Sequence, residues 1–455
     1  MSRAFWFAEI HQILRLAVPL IIAHVAYIGM GIIDTMMAGQ ASGEDLAGLA
    51  VGGNIWLIVE VAMGGLLSAM TPRIARFYGA KRFDDITHET RQGLLLGLLV
   101  GILTLLAMLA VVPFIPLLGT DTKVTLVAQE YTQIIAYSLP ASAVCWVMFC
   151  LIEAHGLMRF VVITSLIALA LNLVLDYLLV FGKLGLPALG GVGCAWTTTL
   201  LYWFWAAACI AYAAKHPRLR SYRIFATLPR FDGKRWRAIT ALGLPISLSL
   251  LAEEGFFSVS ALLIAPLGTD ALGAHQITIQ LVAVVLMLGL GCGQATAIRV
   301  AHSIGRAQRQ AVQQHIVAGL GLVITAGLGF GLLVFASRTI LPGLFTQDAA
   351  IAAISSTIML LAPLYLVFDV LQVWTAQSLR GFEDTKVPML MQITAYWIIG
   401  FPLGYSLGNT EIWGQSYGIY GFWAGFLGGI MVGGSLLVSR LYYRFRHRPT
   451  RVQVV

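Results

Sequence analysis

"PRIARFYGAKR" (residues 72–82) returns 226 positions later as "IRVAHSIGRAQ" (298–308), pairing Arg73 with Arg299 and Gly79 with Gly305. The correspondence extends outward. "LAVPL" around Pro19 matches "LGLPI" around Pro245, "DLAG" (45–48) matches "DALG" (270–273), and "HGLM" (155–158) aligns with "RGFE" (380–383). Self-similarity at a fixed offset marks a chain built from repeated units. The two halves read as residues 1–214 and 238–455. They are joined by the connector 215–237, which carries eight of the 29 Lys and Arg.

Composition says what each half is made of. Of 455 residues, 58% are hydrophobic and 11% charged, against about 25% charged in soluble domains. Such a chain has no surface to offer water and reads as a polytopic membrane protein. Long apolar runs recur near 13–38, 46–70, 92–116, 127–152, 160–182 and 190–214. In the second half they recur near 238–267, 272–298, 312–336, 350–378, 387–408 and 415–439. These are twelve transmembrane helices, six per half, in an all-α fold. The runs are continuous rather than alternating, which excludes a β-barrel.

Lys and Arg orient the spans. The termini and every second connector share a side with 26 of the 29 basic residues, leaving Lys123, Lys183 and Arg338 on the other. Both termini are therefore expected in the cytoplasm. The net charge of +8 is a topology signal on this reading, and nucleic acid is not a partner. Each half has an even number of spans, so the repeat is parallel. Transporters built this way bind substrate between the halves and alternate access by rocking.

What the repeat omits is as informative. At offset 226, Asp34 falls opposite Ser260 and Glu253 opposite Tyr27; at 225, Asp369 falls opposite Val144 and Asp176 opposite Phe401. The scaffold repeats and these buried acids do not. Intramembrane acids are costly and are either ion and proton sites or buried groups paired with a hydroxyl or base. Asp34 and Asp176 lie five and six residues before Gly39 and Gly182, at similar depth in two outward-running helices. Asn172 is one turn below Asp176, and Thr197, Thr198 and Thr199 add hydroxyls. Together they form an oxygen-rich nest suited to Na+ or to a shared proton.

The second half offers Glu253 in its first helix and Asp369 with Tyr365 at i−4 in its fourth. Gln276 and Gln280 either reach a substrate cavity or bond between helices. Glu254 points about 100° away from Glu253. Glu60 is mid-span with no evident partner, and the five cysteines read as buried thiols.

There is no GxxxxGK[ST], no HExxH and no nucleophile–base pair, so ATP use, zinc proteolysis and enzymatic activity in general are not expected. Energy then comes from an ion gradient, with no cofactor beyond the coupling ion. A channel is disfavoured because the carboxylates do not repeat as filter residues would.

"GIIDTMMAG" (31–39), "GGVGCAW" (190–196), "ALLIAPLG" (261–268) with "GAHQ" (273–276), and "QSLRGFEDTKVPM" (377–389) together resemble the multidrug and toxic compound extrusion (MATE) family, NorM-like branch. The resemblance covers nearly the whole chain. It implies a monomeric antiporter of the bacterial inner membrane that expels small cationic, amphiphilic drugs or dyes in exchange for Na+ or H+. It carries over Asp34 in the N-lobe and Glu253, Tyr365 and Asp369 in the C-lobe, with Asn172, Asp176 and Thr198 as a looser match to the N-lobe cation nest. The acid at 176 and the additional Glu60 and Glu254 depart from that pattern. The alternative within the same superfamily is a flippase for a lipid-linked precursor. That function calls for intramembrane basic residues, and here the intramembrane charges are acidic.

Overall fold

A computed structural model describes residues 3–227 and 230–447, and among them every regular element is helical. In chain order these are α1 (Arg3–Ala41), α2 (Gly43–Ser68), α3 (Met70–Gly79), α4 (Phe83–Val111), α5 (Thr122–Ala136), α6 (Leu139–Ala154), α7 (Met158–Phe181) and α8 (Gly191–Lys215). After the short α9 (Pro217–Arg220) come α10 (Gly233–Ile264), α11 (Thr269–Gly305), α12 (Arg309–Ala336), α13 (Ala349–Ile358), α14 (Ala362–Arg380), α15 (Lys386–Ile393), α16 (Phe401–Asn409) and α17 (Gly418–His447). Eleven stretches are long and apolar enough to cross a membrane, and α5 with α6, bent by 45°, makes a twelfth. The twelve expected spans are all present and in order.

The departures from twelve simple rods have local causes. Pro140 sits in the first turn of α6 and Pro363 in the first turn of α14. Proline is tolerated there and cannot continue a helix from before it. The expected fourth and tenth spans are therefore each built from two helices. The second helix of each pair is buried nearly all round. Leu139, Val147, Met148 and Leu151 of α6 and Leu366, Val370, Trp374 and Leu379 of α14 are all almost inaccessible. A helix apolar on every face is a core helix or a lipid-embedded one, and these two are the cores of their units. Lipid-facing surface is instead offered by helices such as α4, where Leu98, Leu99, Ile102, Leu103 and Leu106 are exposed.

The chain divides into two compact units, Ile22–Ser247, and Met1–Ile21 with Leu248–Val455. Both divisions fall inside helices, not at the expected limits 214 and 238. In the first unit the start of α10 packs home. Ser247 Oγ donates to Ala62 O at 2.6 Å, and Gly243 lies so close to the Leu66 backbone that a Cβ would collide. In the second unit the start of α1 does the same, with Ile13 and Ala17 buried in a cluster with Cys292 and Ala295.

Candidate functional site

The first unit's site depends on how α8 begins. Asp45 Oδ1 accepts from Gly191 N at 2.7 Å, tying the start of α2 to the start of α8. Gly190 adopts φ +56°, and a Cβ on it would strike the Asp45 carboxylate, so glycine is required there. With α8 held by its first residue, Cys194, Thr197 and Thr198 project from its first two turns. Asp34 meets them from the last two turns of α1, and Asn172 and Asp176 meet them from α7.

The resulting nest is tight. Asn172 Nδ2 donates to Asp34 Oδ1 at 2.8 Å, and Thr198 Oγ1 donates to Oδ2 at 3.3 Å. The Cys194 thiol donates to the backbone carbonyl of Asp34 at 3.5 Å. One ligating atom from each of Asp34, Asp176 and Cys194 lies within 4.8 Å of the other two. Asn172, Asp176 and Thr197 are fully buried. Yet Asn172 Oδ1 has no hydrogen-bond partner, and Asp176 meets Asp34, Thr197 and Cys194 only at long range, so that its carboxylate oxygens and Thr197 Oγ1 lack a close hydrogen bond. Buried polar atoms without partners are rare and costly. Several unengaged oxygens around two carboxylates suit a cation, whether a proton shared between the acids or a metal ion such as Na+. The four N-lobe residues singled out from sequence thus come together.

Asp34, Asn172 and Thr198 also line a cavity of about 400 Å³, with Tyr27, Trp56, Tyr131, Tyr202 and Trp205 on its walls. Beside it, Glu60 is not without partners. Its Oε1 accepts from Ser142, Trp146 and Tyr202.

The second unit holds the other acids. Asp369 and Tyr365, on one face of α14, are 2% and 1% exposed. Asp369 Oδ2 and the Tyr365 hydroxyl have no hydrogen-bond partner. Glu253 on α10 interacts electrostatically with Asp369 and hydrogen-bonds Tyr396, whose hydroxyl accepts from Gln372 Nε2 at 2.6 Å. Glu253, Tyr365 and Asp369 therefore share one neighbourhood. Gln276 and Gln280 lie on exposed faces of α11. The buried polar side chain next to Gln276 is His275, fully inaccessible, packed edge-on to Trp423 and without a partner on either ring nitrogen. Glu254 is exposed.

Sequence reasoning missed Cys194, His275 and Tyr396 as members of these sets, while Thr197 entered only with its neighbours in the run 197–199. For Cys194 a signal existed, since it sits three and four residues before Thr197 and Thr198 on one helix face.

A family model described as MatE matches residues 19–178 and 245–406, one segment in each half. Multidrug resistance protein MdtK of Pectobacterium atrosepticum is 34% identical over 452 residues, covering 98% of both chains. Multidrug resistance protein NorM of Aliivibrio fischeri is 32% identical over 454 residues, covering 98% of this chain and 97% of its own. Among solved structures, the eukaryotic MATE transporter AtDTX14 superimposes with a TM-score of 0.84 at 19% identity, over 98% of this chain and 100% of that one. A multidrug resistance MATE family transporter in an outward-facing conformation gives a TM-score of 0.86 at 18% identity, over 96% of each chain.

Proposed function

The chain belongs to the MatE family, and from that premise we propose that it is a secondary active multidrug efflux transporter of the bacterial inner membrane. On this reading it exchanges cationic, amphiphilic drugs or dyes for Na+ or H+ by alternating access. Both termini lie in the cytoplasm, as the distribution of Lys and Arg supports.

One observation carries the reading: Asp34, with Asp176 behind it, borders a large aromatic-walled cavity. Aromatic faces and a carboxylate attract an organic cation. The unengaged oxygens around the same carboxylates attract a small one. Binding of the inorganic cation neutralises the acids and weakens their hold on the organic one, which is competitive linkage through shared charge. Glu253, Tyr365 and Asp369 form the corresponding set of the second unit.

Purified protein in proteoliposomes tests this. Ethidium uptake is followed with an imposed Na+ gradient and, separately, with an imposed pH gradient. Transport under one gradient and not the other names the coupling ion. A protein that moves dye under neither is not this antiporter.

A further inference from the structure

Glu60 lies in the middle of α2 and is 3% exposed. Three donors converge on one of its oxygens. Ser142 Oγ reaches Oε1 at 2.6 Å, Trp146 Nε1 at 2.9 Å and the Tyr202 hydroxyl at 3.2 Å. The other oxygen, Oε2, is buried with no hydrogen-bond partner. Among the described residues no ion pair reaches Glu60, and no charged neighbour acts on it. The titratable groups facing it are Tyr27 from α1, Cys145 from α6 and Tyr202 from α8; α4 and α5 present none. None of this repeats. At offset 226, Glu60 falls on Leu286, Ser142 on Phe368 and Tyr202 on Gly428.

We propose that Glu60 is a second cation-loading site of the first unit, one that takes only a proton and fills from the Asp34 cavity past Tyr202. The proton-only character follows from the oxygen count. A hard metal ion needs several oxygen ligands. Here Oε2 is the one carboxylate oxygen left open, because the hydrogens of Ser142, Trp146 and Tyr202 converge on Oε1 and keep a metal ion from it. A proton needs only one. An ionised Oε2 is an anionic oxygen buried without a donor, which is unfavourable. A proton on Oε2 leaves Oε1 as the carbonyl of a neutral acid, still accepting from all three donors. The proton adds from the cavity and leaves by the same path, and no other bond changes. Tyr202 both lines the cavity and donates to Glu60, so displacing that one side chain connects the two. The Asp34 nest differs in having several free oxygens.

The inference rests on the antiport reading for its source of protons, and the test separates the two. Dye transport in proteoliposomes is measured across pH, with protons counted by an entrapped pH indicator. Glu60→Gln keeps an acceptor for Ser142, Trp146 and Tyr202. It is expected to lose one limb of the pH profile and to move one proton fewer per dye. Glu60→Asp, which still titrates, keeps both. A wild-type pH profile and proton count in Glu60→Gln overturns the proposal, and so does loss of the limb in Glu60→Asp as well. A wild-type protein that transports under no gradient overturns the antiport reading instead. In that case, or if Glu60→Gln does not fold, infrared spectra of the wild-type protein labelled with ¹³C-glutamate decide. A protonated glutamic acid carbonyl band that titrates away at alkaline pH supports Glu60, if it persists in Glu253→Gln and in a Gln variant of Glu153, the half-buried glutamate near the end of α6. Its absence, or its loss in either variant, overturns the proposal.

Discussion

Arg235 donates to Glu89 at 3.0 Å, and 226 positions away the same places are held by Glu9 and His315, which meet at 2.9 Å with the charges rearranged. The third member, Arg73 in one unit and Arg299 in the other, is common to both. Each cluster sets a buried carboxylate between two nitrogen bases and pins the start of α10 or of α1, and in the first unit Arg235 also pairs with Asp85 at 2.6 Å. Glu89 is fully buried, so removing a partner leaves part of its charge uncompensated. Arg235→Ala is expected to cost about 2 kcal/mol, the worth of a hydrogen bond to a charged group, and to lower the melting temperature in detergent. Arg235→Glu is expected to lower it further. Combining it with Glu89→His copies the other unit's pairing, apart from Asp85 beside residue 235, and should recover part of the loss. A double variant no more stable than Arg235→Glu alone shows that the equivalence is not energetic.

Asp34→Asn exchanges a carboxylate for an amide where Asn172 and Thr198 already donate. One amide N–H then faces a donor. Loss of a charged acceptor of this kind is worth about 1.5–3 kcal/mol, or roughly a tenfold to hundredfold loss in affinity for the coupling cation. Efflux of ethidium from loaded cells should fall accordingly. Asp176→Asn should act in the same direction. Undiminished efflux in Asp34→Asn, at equal protein in the membrane, removes Asp34 from the mechanism.

The acids were legible because a carboxylate in an apolar run is conspicuous, and the repeat showed which of them the scaffold does not need. Span number was legible because each crossing needs a fixed apolar length. Partners were not. The donors to Glu60 come from positions 82, 86 and 142 residues away on two other helices, and nothing local marks them. Nor do the unit boundaries show. Residues 22 and 247 sit in unbroken helix, and packing assigns the first turns of α1 and α10 with no change of composition to announce it. Gln276 drew attention as a polar residue in an apolar helix, while the buried side chain proved to be its neighbour His275. Helical phase decided between them, and one residue is about 100° of it.

A pH effect on stability is expected from His155, at the end of α6 and outside the spans. Its Nδ1 must donate to Leu151 O at 2.7 Å, since a carbonyl only accepts. Neutral Nε2 then accepts from the Tyr222 hydroxyl at 2.7 Å. Burial, helped by the nearby Arg218 and His216, pulls the imidazole from 6.5 down to about 4. The unfolded chain therefore binds a proton that the folded one refuses between those values. The contribution, on the order of 3 kcal/mol, is present above pH 6.5 and is lost as pH falls towards 4. Melting temperatures of wild type and His155→Gln should converge over that interval. Parallel curves would show that His155 titrates in the fold as it does in the unfolded chain.

Tyr365→Phe separates function from structure in the second unit. The Tyr365 ring packs on Trp423 with centroids 5.4 Å apart, and Phe retains that contact. The hydroxyl has no hydrogen-bond partner. Removing an unpaired buried polar group of this kind is near neutral for stability, or slightly favourable. Any loss of transport then reports on the hydroxyl's service to a cation held with Asp369, one turn away. The expected outcome is an unchanged melting temperature, with the cation concentration for half-maximal transport raised about threefold to tenfold, as for the loss of one neutral ligand worth about 1 kcal/mol. Asp369→Asn should raise it more. Cation dependence identical to wild type in Tyr365→Phe would leave Asp369 and Glu253 as the second unit's functional pair and Tyr365 as packing.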